Sequence, residues 1–428
     1  MSRLMRFISC VSIAALIAGC AGRVSAGSEV KSALPRDEAP QVSDADTGAL
    51  VGGNTAFAFD LYRELAGKGG NLFYSPFSIS QALAMTYAGA RGNTERQMAD
   101  ALHFALAQGS LHPAFNRLGL ELASRSEIED LPKDQRFKLN IANAIWGQRD
   151  YEFLPEFLDM LAKNYGAGMR LVDYLADPEK ARVEINNWVE DQTEGKIKDL
   201  IPQGAIDGLT RLVLTNAIYF NASWLHPFEE SLTTPQPFHL VDANTVKVDM
   251  MQQSESFGYY AGQGYQAVEL PYSGNQLAML ILVPDEGNFA KLESGLDERV
   301  LEEIGSGMSY PQINLWMPKF TFSAEFMLKP VLSAMGMAEA FDPGLADFSG
   351  MTGNRELYIS EVIHKAFVAV DESGTEAAAA TAVIMKFTSM PIGEPVELKI
   401  DRPFIFIIRD LPTGTILFVG RVLDPTAE

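Results

Sequence analysis

Residues 364–381 read H-K-A-F-V-A-V-D-E-S-G-T-E-A-A-A-A-T, and the reading of this stretch decides the fold. Its first part, through Val370, has the apolar, β-branched character of a strand. Helix propensity alone would make the alanines after Thr375 a short helix. They lie, however, between that strand and a loop of Met, Pro and Gly at 385–395. Counted alternately, Thr375, Ala377, Ala379 and Thr381 are all small. In an extended chain these four share one face. Such a strand can slip between a sheet and the layer packed on it, where a charge or a large ring would meet a desolvation or steric cost.

Working outward, residues 212–220, 277–283, 313–317, 404–408 and 416–422 are short apolar runs bounded by Gly, Pro, Asn or Asp, the pattern of buried strands. The first half reads as helices. Asn54 is placed to cap a helix carrying Phe57, Leu61 and Leu65, stopped by Gly67. Residues 71–92 give a short apolar stretch, a Ser-Pro turn and a helix with Ile79, Leu83 and Tyr87. Asp177 followed by Pro178 starts a helix presenting Val183 and Trp188. Helices first and strands later give an α+β class.

The 428 residues carry 34 Lys and Arg against 55 Asp and Glu, a formal charge of −21. So acidic a chain repels phosphate backbones, and nucleic acid is not an expected partner. With 2 Cys it is no disulfide scaffold. No G-x-S-x-G elbow, Walker loop, H-E-x-x-H or C-x-x-C pair occurs. The histidines, His103, His112, His226, His239 and His364, are too dispersed for a local metal motif. The expectation is no enzyme and no cofactor.

At the N-terminus, Arg3 and Arg6 precede an apolar run over 7–18, the order of an export signal, too short to span a membrane. The run ends L-I-A-G-C at Cys20, resembling the bacterial lipoprotein signal, in which the cysteine is acylated and becomes the new N-terminus. The alternative is ordinary cleavage after Ala26 and secretion. Lipoprotein processing divides the chain into a signal at 1–19, a lipidated Cys20 with a flexible tether at 20–47, and a folded domain at 48–428. It removes Arg3 and Arg6 and leaves a net −23. Acyl chains on Cys20 would hold the protein at a bilayer. The tether is Ala-, Ser-, Gly- and Pro-rich, and as a coil it would span on the order of 30 Å. Ala21 after Cys20 favours an outer membrane or cell surface.

Five separated blocks, in order, resemble the serpin family: N-L-F-Y-S-P-F-S-I-S-Q-A-L-A-M at 71–85, I-N-N-W-V-E-D-Q-T-E-G-K-I at 185–197, L-V-L-T-N-A-I-Y-F-N-A-S-W-L-H-P-F at 212–228, the opening stretch at 364–381, and L-K-I-D-R-P-F-I-F-I-I at 398–408. The resemblance covers residues 48–425. It implies helices packed around a large central mixed sheet with smaller sheets, and an exposed reactive-centre loop. It implies a suicide-substrate inhibitor of serine proteases, with cysteine proteases a second target class, acting as a monomer. The loop, once cut, enters the central sheet and traps the acyl-enzyme. The alternative within the family is a non-inhibitory binding or carrier protein, whose hinge commonly carries bulky, charged or proline residues.

Residue roles follow from the same resemblance. Glu372, Gly374, Thr375, Ala377, Ala379 and Thr381 form the hinge, Gly374 supplying freedom to bend. Counting seventeen residues inclusively from Glu372 places the scissile bond at Thr388–Ser389. An inserted strand from Thr375 to Thr388 would run about 46 Å. The stretch from Glu372 to Arg402-Pro403 is longer than the family's commonest spacing, so Lys386, Phe387 and Met390 remain candidate cleavage positions. Thr388 would suit an elastase-like pocket. Ser75, Ser78, Asn186 and His364 match a hydrogen-bonded cluster beneath the central strands. Trp224 matches the residue at the insertion entrance, and Lys319 is expected to pair with Glu372.

Overall fold

A computed structural model describes residues 28–127, 137–375 and 394–427. In chain order these form β1 (Ser28–Val30), α1 (Asp44–Ala66), β2 (Leu72–Tyr74), α2 (Pro76–Tyr87), α3 (Gly92–Ala101), α4 (Gln108–Ser124), β3 (Lys138–Gln148), α5 (Pro155–Tyr165), β4 (Met169–Val172), α6 (Pro178–Gln192) and β5 (Leu212–Ser223). Then follow β6 (Thr234–His239), β7 (Thr245–Ser256), β8 (Gly258–Ala261), β9 (Tyr265–Pro271), β10 (Leu277–Pro284), α7 (Phe289–Ser294), α8 (Glu298–Gly307), β11 (Gln312–Pro318), β12 (Phe320–Met327), β13 (Ile359–Val370), β14 (Gly374–Thr375), β15 (Val396–Lys399), β16 (Phe404–Asp410) and β17 (Ile416–Val422).

Three sheets organise the strands. The largest is mixed, in the order β1-β4-β3-β5-β14-β13-β12. A second sheet, β2-β17-β16-β10-β9-β8, is wholly antiparallel, and the third is β15-β11-β7-β6. One hydrophobic core joins the large sheet to α1, α2 and the second sheet. A smaller one lies under α6, where Trp188 meets Trp146 edge to face and Arg170 stands 4.5 Å over the Trp188 ring. The architecture is α+β, as read from the sequence.

Local signals explain the helix starts. Ser75 caps α2 by accepting from the Ser78 amide, with Pro76 in the first turn. The Asp177 carboxylate accepts from the Lys180 amide at 2.9 Å and Pro178 opens α6. Trp188 is buried but Val183 is exposed, so only one of the two faces the core. Helix α1 begins ten residues before the expected Asn54 cap, at Asp44, because the Ser43 hydroxyl accepts from the Asp46 amide. Asn54 is instead buried in mid-helix, accepting from the Ser80 hydroxyl at 2.6 Å.

The expectation of a flexible tether up to residue 47 is corrected over residues 28–47. Strand β1 pairs antiparallel with β4, Ser28 opposite Leu171 and Val30 opposite Met169, and so covers the sheet's edge. A Cβ on Gly168 would stand 2.6 Å from the Val30 carbonyl oxygen, so glycine there lets the segment approach. Beyond it, Arg36 Nε donates to Asn116 Oδ1 at 2.7 Å, the Asp37 amide to the Lys163 carbonyl at 2.9 Å, and Arg117 Nη1 to the Val42 carbonyl at 2.7 Å. These bonds satisfy backbone and side-chain groups that composition alone left to water. Cys20 lies outside the described residues.

Candidate functional site

The segment expected to form the hinge follows the end of β13. Asp371 turns the chain, its Oδ1 accepting from the amides of Ser373 at 2.8 Å and Gly374 at 3.2 Å. Gly374 and Thr375 then enter the large sheet between β5 and β13, with Gly374 opposite Ser223, and Thr375 opposite both Ala222 and Val370. Gly374 meets a stricter demand than freedom to bend. A Cβ on it would lie 2.2 Å from the Ala222 carbonyl oxygen and 2.7 Å from Ser223 Cα.

Aromatic side chains hold the entrance. Thr375 is 1% exposed and its hydroxyl lies 2.7 Å from that of Tyr272. Burial raises the Tyr272 pKa well above its ordinary value, so the phenol stays neutral. Tyr272 stacks on Trp224 with centroids 4.6 Å apart and planes 8° from parallel. Trp224 Nε1 donates to the Asp371 carbonyl at 3.0 Å and its amide to the Ser373 carbonyl at 2.9 Å. Lys319 Nζ reaches Glu372 Oε2 at 2.7 Å, while the Thr233 hydroxyl donates to Oε1 at 2.7 Å. Burial pushes the Glu372 carboxyl up, but the bonds from Lys319 and Thr233 outweigh it and leave the pKa lowered. For Lys319 burial acts downward, and Glu372 together with the Asp371 and Asp249 charges more than offsets it, raising the pKa.

Below Thr375 the sheet is closed. Strands β5 and β13 pair directly and in parallel, from Ile359 opposite Leu212 to Phe367 opposite Tyr219. Beneath this seam lies a buried polar cluster. The Ser75 amide donates to His364 Nε2 at 3.3 Å, leaving His364 Nδ1 to donate to Asn216 Oδ1. Asn216 Nδ2 donates to Ser78 Oγ at 2.6 Å, and the Ser78 hydroxyl donates to Asn143 Oδ1 at 3.1 Å. Helix α2 is thereby fastened to β3, β5 and β13. Burial drops the His364 pKa to about 3 despite the Asn216 bond, so the ring is neutral near pH 7.

Of the sequence-assigned residues, Glu372, Gly374, Thr375, Trp224 and Lys319 meet at the entrance, and Ser75, Ser78 and His364 meet in the cluster. Asn186 does not join them. It sits on α6, where its amide donates to the Ile201 carbonyl at 3.0 Å and accepts from the Ile201 amide at 2.8 Å, pinning the 201 loop. Asn143 and Asn216 take its place. Asn216 interrupts the apolar run of β5, and a polar side chain in a buried strand needs partners; that was the available signal. Ala377, Ala379, Thr381, Lys386, Phe387, Thr388, Ser389 and Met390 lie outside the described residues.

Comparison with known proteins agrees with this geometry. A family profile described as "Serpin (serine protease inhibitor)" matches residues 52–425. The chain is 41% identical over 421 residues to an uncharacterized serpin-like protein of Thermococcus kodakarensis, covering 96% of both chains. It is 40% identical over 387 residues to leukocyte elastase inhibitor A of Rattus norvegicus, covering 88% of this chain and 99% of that one. Among solved structures, uncleaved ovalbumin superposes with a TM-score of 0.77 at 27% identity over 88% of this chain and 100% of that one. Human thyroxine-binding globulin gives a TM-score of 0.78 at 30% identity over 89% and 100%. The chain belongs to the serpin family.

Proposed function

We propose that the protein inhibits serine endopeptidases as a suicide substrate, its cut loop entering the large sheet while the protease is still acylated to it. The observation that carries this reading is the start of a strand at Gly374 and Thr375, antiparallel to both β5 and β13. Continued residue for residue from the Thr375–Ala222 pair, Ala377 falls opposite Phe220, Ala379 opposite Ile218 and Thr381 opposite Asn216. Directly opposed residues share a sheet face. The small side chains therefore go to the packed face, and the one hydroxyl among the last three goes to the polar cluster. Insertion replaces one parallel ladder by two antiparallel ones and buries alanine surface, which makes the uninserted state metastable.

The reactive bond in this reading is Thr388–Ser389. Thr388 falls opposite Leu209, three residues beyond the Leu212 end of β5, so the inserted strand spans that strand's length. Relatives named as leukocyte elastase inhibitors favour a target pocket that accepts a small residue. Incubation with a panel of elastase-, chymotrypsin- and trypsin-like enzymes tests it. An SDS-stable adduct and a released fragment beginning at Ser389 are expected. Turnover as a plain substrate by every enzyme would leave the carrier function that thyroxine-binding globulin exemplifies.

We further propose that the mature chain is a lipoprotein of the cell envelope, anchored through Cys20 at an outer membrane or cell surface. With β1 docked, only residues 21–27 separate Cys20 from the folded domain, a reach of roughly 25 Å. Cys20→Ala should move the protein to the soluble fraction or leave the precursor unprocessed. Unchanged membrane association would exclude this anchor.

A further inference from the structure

The docked N-terminal segment fixes which end of the domain an anchor at Cys20 would hold. Ser28 lies opposite Leu171 on β4, Leu171 opposite Gly147 on β3, and Gly147 opposite Leu212 on β5. One row across the large sheet therefore joins the start of β1 to the start of β5. The hinge entrance is at the far end of that 12-residue strand, where Ser223 faces Gly374, roughly 36 Å away.

The loops beyond that row carry exposed leucines. Leu175 follows β4 and is 58% exposed, and Leu209 precedes β5 and is 69% exposed. Their loops touch, since a Cβ on Gly208 would stand 3.9 and 4.0 Å from the carbonyl oxygens of Tyr174 and Leu175. The Tyr358 hydroxyl donates to the Leu209 carbonyl at 2.6 Å. From the same stretch before β13, Arg355 Nη2 donates to the carbonyl of Leu345, itself 52% exposed. Single exposed leucines are ordinary, but three grouped at one end mark a contact surface.

The length of chain leading to this end says what covers it. Residues 21–27 are all that separates Cys20 from β1, so a lipid on Cys20 keeps this end within roughly 25 Å of a bilayer. At so short a tether length a weak apolar contact suffices.

We propose that this end of the domain rests on the bilayer, Leu175, Leu209 and Leu345 dipping into its interface, and that the reactive loop is thereby displayed on the side away from the membrane. The inference rests on the anchor proposed at Cys20. Asp177, Glu179 and Asp207 are exposed beside the leucines, so anionic headgroups add no attraction and a zwitterionic surface is the partner.

The test uses the lipoprotein reconstituted in phosphatidylcholine vesicles that contain brominated phosphatidylcholine, with one cysteine added to carry a fluorescent label. Acylation blocks the Cys20 thiol and Cys10 departs with the signal, so the added cysteine is the sole attachment point. A label at Ala176→Cys, beside Leu175, should lose most of its fluorescence to the brominated lipid. At Glu230→Cys, which lines the hinge entrance with Glu372, it should lose none. Leu175→Glu with Leu209→Glu in the Ala176→Cys chain should restore the signal while the protein stays on the vesicles. No quenching at 176, equal quenching at 176 and 230, or quenching that survives the double substitution would overturn the orientation and leave the anchor standing. A second label on Cys20 itself would reveal an unacylated chain and remove anchor and orientation together.

Discussion

The hydroxyls of Thr375 and Tyr272 lie 2.7 Å apart, buried in the large sheet where β5 and β13 have already separated to admit two residues of the hinge. The tyrosine ring stacks on Trp224, which in turn donates to the backbone of Asp371 and Ser373. Two residues after β13 are therefore already paired into the large sheet, and Thr375 has no room to enlarge.

If the proposed inhibitory mechanism operates, Thr375→Arg should turn the protein into a plain substrate. The guanidinium would replace a side chain that is 1% exposed, with Tyr272 as its nearest polar neighbour, and such a charge costs several kcal/mol to bury unpaired. Cleavage would then outrun insertion. The ratio of adduct to cleaved protein on a denaturing gel measures it, and an unchanged ratio would show that Thr375 is not where insertion begins.

Glu372 and Lys319 set a pH window for the hinge. The Glu372 pKa is lowered, so its contribution is complete above the ordinary value of 4.5 and fades as pH falls through the lowered one. The Lys319 pKa is raised, so its share is complete below 10.5 and fades above the raised value. Lys319 is more than a third exposed, which limits the pair to about 1 kcal/mol. Glu372→Gln should speed hydrogen exchange at the Phe228 amide, which donates to the Glu372 carbonyl, at pH 7 but much less at a pH below the lowered Glu372 value, where the carboxyl is protonated. Equal acceleration at both would remove the ion pair from the explanation.

His364 gives a second acid dependence. Its folded pKa of about 3 lies below the ordinary 6.5, so the stability it confers is full above 6.5 and is lost as pH falls toward 3. Protonation would also deprive the Ser75 amide of its acceptor. The urea midpoint should fall between pH 6.5 and 4, and His364→Gln should start lower and fall less steeply. His112, buried with its pKa lowered to about 4, adds a parallel slope that the variant retains. An identical slope in the variant would assign the whole effect elsewhere.

Deleting residues 28–36 should cost about 2 kcal/mol in urea unfolding, since it removes the pairing with β4 and the bonds from Arg36 to Asn116 at the small net worth of each hydrogen bond. No change in the midpoint would mean that the segment rests on the domain without holding it.

Much of this was legible because each clue was chemical as well as positional. Four small residues in alternation from Thr375 suit a strand that enters a packed sheet, and the resemblance adds the glycine at 374 and the acid at 372. The described residues show the reason at Gly374 and Thr375, where Ala222 and Tyr272 leave no space. Asn186 was misplaced because a polar residue on a buried helix face reads the same whether it serves a strand seam or, as here, the backbone of Ile201. Strand β1 escaped notice because three residues, Ser-Glu-Val, carry no periodicity. What makes them a strand is the unpaired edge of β4 and the glycine at 168, far away in sequence.

The most direct test of the account is the thermal stability of the protein after a single cut within the loop, with both fragments retained. Insertion between β5 and β13 should raise the melting temperature by tens of degrees, because a full strand is added and no core is lost. Equal melting of the intact and cut proteins would contradict insertion, and with it the inhibitory mechanism.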